Sequence, residues 1–152
     1  MGRKTRSGEG TRGSGRQKGF LMAKAIVSCL KKRDLIQEET TSRETLIKFG
    51  QEYLNQGRWL EALEFFERAP DSVGLQTLKK KGIEEGDPFL YKQACKFLKE
   101  SLDPAEWKLT GEKALSQGRW HQALTAFKAL ADETKIQELE QLIADSKKND
   151  HE

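Results

Sequence analysis

The chain has 152 residues, of which 34% are charged, 36% hydrophobic and 8% aromatic, with three Pro and two Cys. That length allows one domain with a modest apolar core, and no apolar run approaches the ~20 residues that a membrane span needs. The formal net charge of +3 averages two unlike parts: the segment 1–19 holds six Lys/Arg against Glu9 alone, while the segment 20–152 carries a net −2.

The first segment, residues 1–21, contains six Gly and no aliphatic or aromatic residue between Met1 and Phe20. Such a composition buries too little surface to offset the entropy of ordering, so disorder is expected. It lacks the apolar stretch of a secretory signal. Two readings stand open: a start-site extension or inert tail ahead of Met22, or a functional basic arm. Cys29 and Cys95 are too few for a disulfide framework and read as reduced, buried thiols in a cytoplasmic protein.

From Met22 the apolar spacing is helical. Ala23, Ile26, Val27 and Leu30 fall at i, i+3, i+4 and i+7, one face of a helix. Thr40, Thr41 and Ser42 interrupt the pattern, and Ser42 offers an N-cap to a helix carrying Leu46, Ile47, Phe49, Gly50, Tyr53 and Leu54. Asn55-Gln56-Gly57 is a helix stop. Trp59, Leu60, Leu63, Phe65 and Phe66 form the apolar face of the next helix, which Pro70 ends. Val73, Leu75, Leu78 and Ile83 suggest a short helix, followed by a Gly86-Asp87-Pro88 turn. Phe89, Leu90, Ala94, Cys95, Phe97, Leu98 and Leu102 give the following helix a broad apolar face. Asp103-Pro104 opens a further helix with an N-cap and Pro at its first position. Last, Ile136, Leu139, Leu142 and Ile143 form the stripe of a terminal capping helix. No segment alternates with period two, so the chain is all-α.

The strongest signal is a self-match of the block 50–66 with the block 111–127. Gly50, Leu54, Gln56, Gly57, Arg58, Trp59, Ala62, Leu63 and Phe66 recur as Gly111, Leu115, Gln117, Gly118, Arg119, Trp120, Ala123, Leu124 and Phe127. Nine identities in the seventeen positions from Gly50 to Phe66 indicate one helix–turn–helix unit used twice. Gly50 and Gly111 let the paired helix approach, Gly57 and Gly118 end the first helix, and Ala62 and Ala123 keep the second thin at the crossing. Phe66 and Phe127 are expected to fill the space between neighbouring hairpins. Arg58 and Arg119 are placed to stack on Trp59 and Trp120.

These blocks resemble the tetratricopeptide repeat family, whose pattern runs Trp-x2-Leu-Gly-x2-Tyr, Ala-x3-Phe, Pro. One copy supplies Gly50, Tyr53, Ala62 and Phe66, and the other Trp107, Gly111, Ala123 and Phe127. The step from Gly50 to Gly111 is shorter than two family periods of ~34 residues, so residues 73–101 must form a degenerate or shortened unit. The resemblance implies a short α-solenoid of about three hairpins over residues 22–148, with flanking N- and C-terminal helices. It also implies a partner-binding groove lined by the first helix of each hairpin: Ile47, Gln51 and Asn55 from one copy, Lys108, Glu112 and Ser116 from the other. The Lys/Asn clamp by which one family subset holds acidic C-terminal peptides is missing from these positions.

Little points to catalysis. His121 stands where the other copy has Leu60, and His151 lies in a polar tail; neither has a second ligand at metal spacing, so no metal or cofactor is expected. Lys79-Lys80-Lys81 reads as a solvated basic face. The expected function is therefore a non-enzymatic protein–protein interaction module, open to self-association through its exposed ends. The alternative is a nucleic-acid-associated adaptor using residues 1–19 on phosphates.

Overall fold

A computed structural model describes residues 29–149, with side-chain environments from residue 31 onward. The expectations for residues 1–21 and for His151 lie outside the described residues, as do those that concern the side chains of the Ala23–Leu30 stripe and of Cys29. The chain divides into two compact units, Met1–Glu38 and Glu39–Glu152. In the first, helix α1 spans Cys29–Gln37. The second contains α2 (Arg43–Asn55), α3 (Trp59–Arg68), α4 (Ser72–Glu84), α5 (Pro88–Leu98), α6 (Pro104–Ser116), α7 (Trp120–Ala129) and α8 (Glu133–Asn149). No strand occurs among the described residues.

Three antiparallel hairpins, α2·α3, α4·α5 and α6·α7, follow one another along the second unit. First helices pack in one row, α2 on α4 and α4 on α6, and second helices in another, α3 on α5 and α5 on α7. The capping helix α8 packs on α7. The boundaries reproduce the sequence repeat: Arg43 and Pro104, Asn55 and Ser116, Trp59 and Trp120, and Arg68 and Ala129 are all pairs with the same spacing as Gly50 and Gly111. The turns repeat as well. Gly57 and Gly118 take φ of 73° and 70°, and Arg58 and Arg119 enter the second helix at φ/ψ of −91°/69° and −86°/66°.

The middle hairpin keeps the same register. Ser72, Glu84 and Pro88 follow Arg43, Asn55 and Trp59 at one constant spacing, and precede Pro104, Ser116 and Trp120 at another, slightly longer one. The expectation of a short helix here is corrected, because α4 has the same 13 residues as α2 and α6. The economy lies in the connections. Asp71, Asp87 and Asp103 stand directly before α4, α5 and α6 and accept backbone N–H groups from Gly74, Leu90 and Ala105. Each acid satisfies an orphan donor without a longer loop. Ser42 caps α2 through the N–H of Thr45, as its position predicts.

The interior is a series of layers between hairpins. Phe66 is fully buried, and a Cβ added at Gly50 in α2 or at Gly74 in α4 would come within 2.5 Å of its ring. The ring thus fills the gap between the first two hairpins, as anticipated. Phe65 stacks on Tyr53 and Phe49, with centroids 5.3 and 5.8 Å away. Further along, Tyr91, Cys95, Trp107 and Ala126 form one cluster, and Ala114, Ala123, Phe127 and Leu139 another that α8 closes.

Several apolar positions do not face this interior. Val73, Leu102 and Leu142 are exposed, as are Leu60 and Phe89. Leu102 lies beyond α5, which ends at Leu98. Leu142 falls off the stripe set by Leu139 and Ile143, which are buried. The stacking of Arg on Trp is also corrected. Arg58 lies over the Tyr53 ring, 4.8 Å from its centroid, and pairs with Glu61 at 2.7 Å. The later copy has Ala114 where Tyr53 stands, and Arg119 instead donates to the carbonyl of Glu85 at 3.0 Å, tying the third hairpin to the second.

Candidate functional site

The sequence-derived binding residues lie on α2 and α6, with α4 between them. Ile47 and Gln51 are half-buried; Asn55, Lys108, Glu112 and Ser116 are exposed. Gln51 is already engaged, since its amide donates to Oδ2 of Asp71 at 2.8 Å and holds α2 to the start of α4. Lys108 and Glu112 face each other along α6 at 4.0 Å, and the Ser116 hydroxyl donates to the Lys113 carbonyl. Their counterparts on α4, in the register that matches Ser72 with Arg43, are Gln76, Lys80 and Glu84. This row is polar and largely self-satisfied. It offers hydrogen bonds but few apolar anchors.

The opposite row is different in chemistry. Between α3 and α5 lies a groove of ≈ 340 Å³ lined by Leu60, Leu63, Glu64, Glu67, Phe89, Gln93 and Phe97. On α3 the lining residues fall at i, i+3, i+4 and i+7, and on α5 at i, i+4 and i+8, so each helix contributes one continuous face. Leu63 forms the floor, while Leu60 and Phe89 stand 49% and 57% exposed at its mouth. Leaving two large apolar side chains half exposed forgoes about 1 kcal/mol of burial energy apiece. Glu64 and Glu67 edge the groove on α3. Exposed Lys92 and Lys96 continue the surface of α5, with the Lys96 ammonium 5.4 Å from the Phe97 ring centroid.

Leu60 and Phe89 occupy equivalent places in their hairpins, and the third hairpin has His121 there, also exposed. Between the first and third hairpins Gly, Ala and Phe are kept at the packing positions, whereas this outer position changes from apolar to polar. The apolar face is therefore a local property of the first two hairpins. It is not a demand of the repeat.

A second polar assembly sits between the middle and last hairpins. Lys79 reaches Oε2 of Glu100 at 2.9 Å and Oε2 of Glu106 at 3.0 Å. Gln76 donates to Glu100 at 2.6 Å. The Tyr91 hydroxyl donates to Glu106 at 2.8 Å and accepts the Asp103 N–H at 3.1 Å. The expected solvated face is corrected for Lys79 alone, whose side chain is 14% exposed, while Lys80 is exposed and Lys81 half-exposed. Its hydrogen bond to Glu100 outweighs burial and, with Glu106, holds its pKa well above the ordinary 10.5. Burial, followed by the bond to Glu106, pushes the Tyr91 phenol up, and burial raises the Cys95 thiol. Every charged group in this assembly has its counter-charge within reach, which describes a structural tie more than a reactive centre.

Among the described residues no group of three His, Cys, Asp or Glu side chains is arranged to hold a metal ion. Nor is any described helix long and apolar enough to cross a membrane. Comparison of the chain with protein-family models, with curated proteins and with solved structures found no match.

Proposed function

We propose that the chain is a non-enzymatic protein–protein interaction module of tetratricopeptide-repeat type, and that its docking surface is the groove between α3 and α5. The observation that carries this reading is the pair Leu60 and Phe89, exposed at equivalent positions on either side of an open groove. Exposed apolar groups rimmed by charge are the composition of an interface centre. Support for the repeat assignment comes from three successive hairpins whose first helices are equal in length and whose second helices differ by a single residue. Gly57, Gly86 and Gly118, all at positive φ, stand at the same place just past the first helix of each.

In that family the first-helix row receives the ligand, but here Gln51 is committed to Asp71 and the row offers few apolar anchors. The second-helix row is better suited to apolar docking. The test is affinity capture with two baits from an extract of the natural source. A Leu60→Asp/Phe89→Asp bait should lose the proteins recovered by the wild type, whereas a Lys108→Ala/Glu112→Ala bait should keep them. Recovery of the same proteins by the first bait would contradict the reading.

A further inference from the structure

The groove has a property beyond being apolar. Glu64 and Glu67 line it on α3, while on α5 the lining is Phe89, Gln93 and Phe97 and the exposed Lys96 stands beside it, with Leu60 and Phe89 at the mouth. The register between the two hairpins makes Leu60 equivalent to Phe89 and Glu67 equivalent to Lys96. Both helices also run in the same direction, being the second members of successive hairpins. A two-fold axis laid along the groove therefore sets α3 of one copy over α5 of another at matching height. Leu60 then meets Phe89, and Glu67 meets Lys96, each contact occurring twice.

We propose that the occupant of the α3–α5 face is the same face of a second copy of this chain, giving an isologous dimer. The proposal rests on the reading of this groove as a docking surface and names its partner. A ligand matched to this face presents acidic and basic side chains in register with an apolar pair at the N-terminal end of the two helices. A second copy does so by symmetry. The alternative axis, across the groove, would set Glu64 and Glu67 against their own counterparts, and like charges in apposition oppose it. Two helices per copy make a small face compared with the ~800 Å² per partner of a stable interface. The dimer is accordingly weak and dissociates on dilution.

Sedimentation velocity of the full chain over a wide concentration range tests this. The wild type should pass from monomer to dimer, and Phe89→Asp should raise the dimer dissociation constant at least about tenfold, as loss of an aromatic anchor does. Glu67→Lys and Lys96→Glu should each weaken self-association, because each sets like charges opposite one another. An equimolar mixture of the two should form a 1:1 heterodimer, since every opposed pair is then Lys against Glu. That rescue cannot come from misfolding. The proposal is overturned if the wild type is monomeric throughout or if the mixture fails to associate. If the wild type is monomeric while the Leu60→Asp/Phe89→Asp bait still loses its proteins, the groove is a docking surface for another protein, and only the second-copy occupant falls. If the wild type is monomeric and that bait loses nothing, both readings fall.

Discussion

The ammonium of Lys79 lies 3.0 Å from Oε2 of Glu106, joining the middle hairpin to the first turn of the next. Its position is the one that Gly50 and Gly111 hold in the flanking hairpins. A lysine fits because Cys95 stands where those hairpins have Phe66 and Phe127. The smaller side chain leaves room, and the charge that enters is matched by Glu100 and Glu106. Lys79→Met keeps the stem and removes the ammonium, leaving Glu106 with Tyr91 as its remaining partner. Its expected cost is about 1–2 kcal/mol, measurable by urea unfolding.

The same tie sets a pH window. Lys79 and Tyr91 titrate above their ordinary values of 10.5 and 10.0 when folded, so their contributions are complete below about pH 10 and fade as pH rises further. Glu100 is held below its ordinary 4.5 by the hydrogen bond from Lys79. Its contribution is present above that value and fades as pH falls. Cys95, raised above its ordinary 9.0 by burial, adds to the alkaline limb from a lower pH, so thermal stability should be flat from about pH 5 to 9 and decline on both sides. Lys79→Met should shallow both limbs, and Tyr91→Phe the alkaline limb alone.

Two glycines of like conformation should respond differently to alanine. Gly57 and Gly86 both have positive φ, 73° and 63°. Around Gly57 a Cβ meets nothing within 4 Å, whereas at Gly86 it would strike the backbone of Ala114 in α6. Gly57→Ala should cost about 1–2 kcal/mol from backbone conformation. Gly86→Ala adds a clash between two hairpins and should cost at least about 3 kcal/mol, with the difference read from chemical denaturation.

The reciprocal sizes at positions 79 and 95 predict coupling. Cys95→Phe alone overpacks the layer by about 1–3 kcal/mol, and Lys79→Gly alone removes the tie and inserts a helix glycine. Together they restore the Gly–Phe pair that Gly50 and Phe66 make. The double variant should be more stable than the sum of the single effects by about 1–3 kcal/mol. Additivity within error would mean that the two positions do not share one space.

This exchange also explains what the sequence could and could not disclose. The outer hairpins were legible because both keep Gly, Ala and Phe at the same places, and their boundaries agree to the residue. In the middle hairpin Tyr53 is replaced by Gly82 and Ala62 by Tyr91, so the bulky ring changes helices. A Cβ at Gly82 would lie 2.6 Å from the Tyr91 nitrogen. Volume is conserved between helices while identity at each position is not, and identity is all that a self-match detects.

The groove was hidden for another reason. Leu60 and Phe89 follow the helical apolar spacing, and spacing alone does not distinguish a wide buried face from one that wraps into solvent. One signal was present: His121 at the equivalent position marks it as a place that tolerates polarity. Lys79, in turn, sits in a three-lysine run, and only Glu100 and Glu106 brought near by the fold separate it from its exposed neighbour Lys80.

Whether the second-helix face is where this chain meets other protein surfaces is tested most directly by site-specific photocross-linking. A benzophenone side chain placed at Phe89, and separately at Lys108, would be illuminated in cells of the natural source. The account predicts discrete protein adducts from position 89, with a dimer of this chain among them, and none from position 108. Adducts from Lys108 with none from Phe89 would contradict it and return the binding surface to the first-helix row.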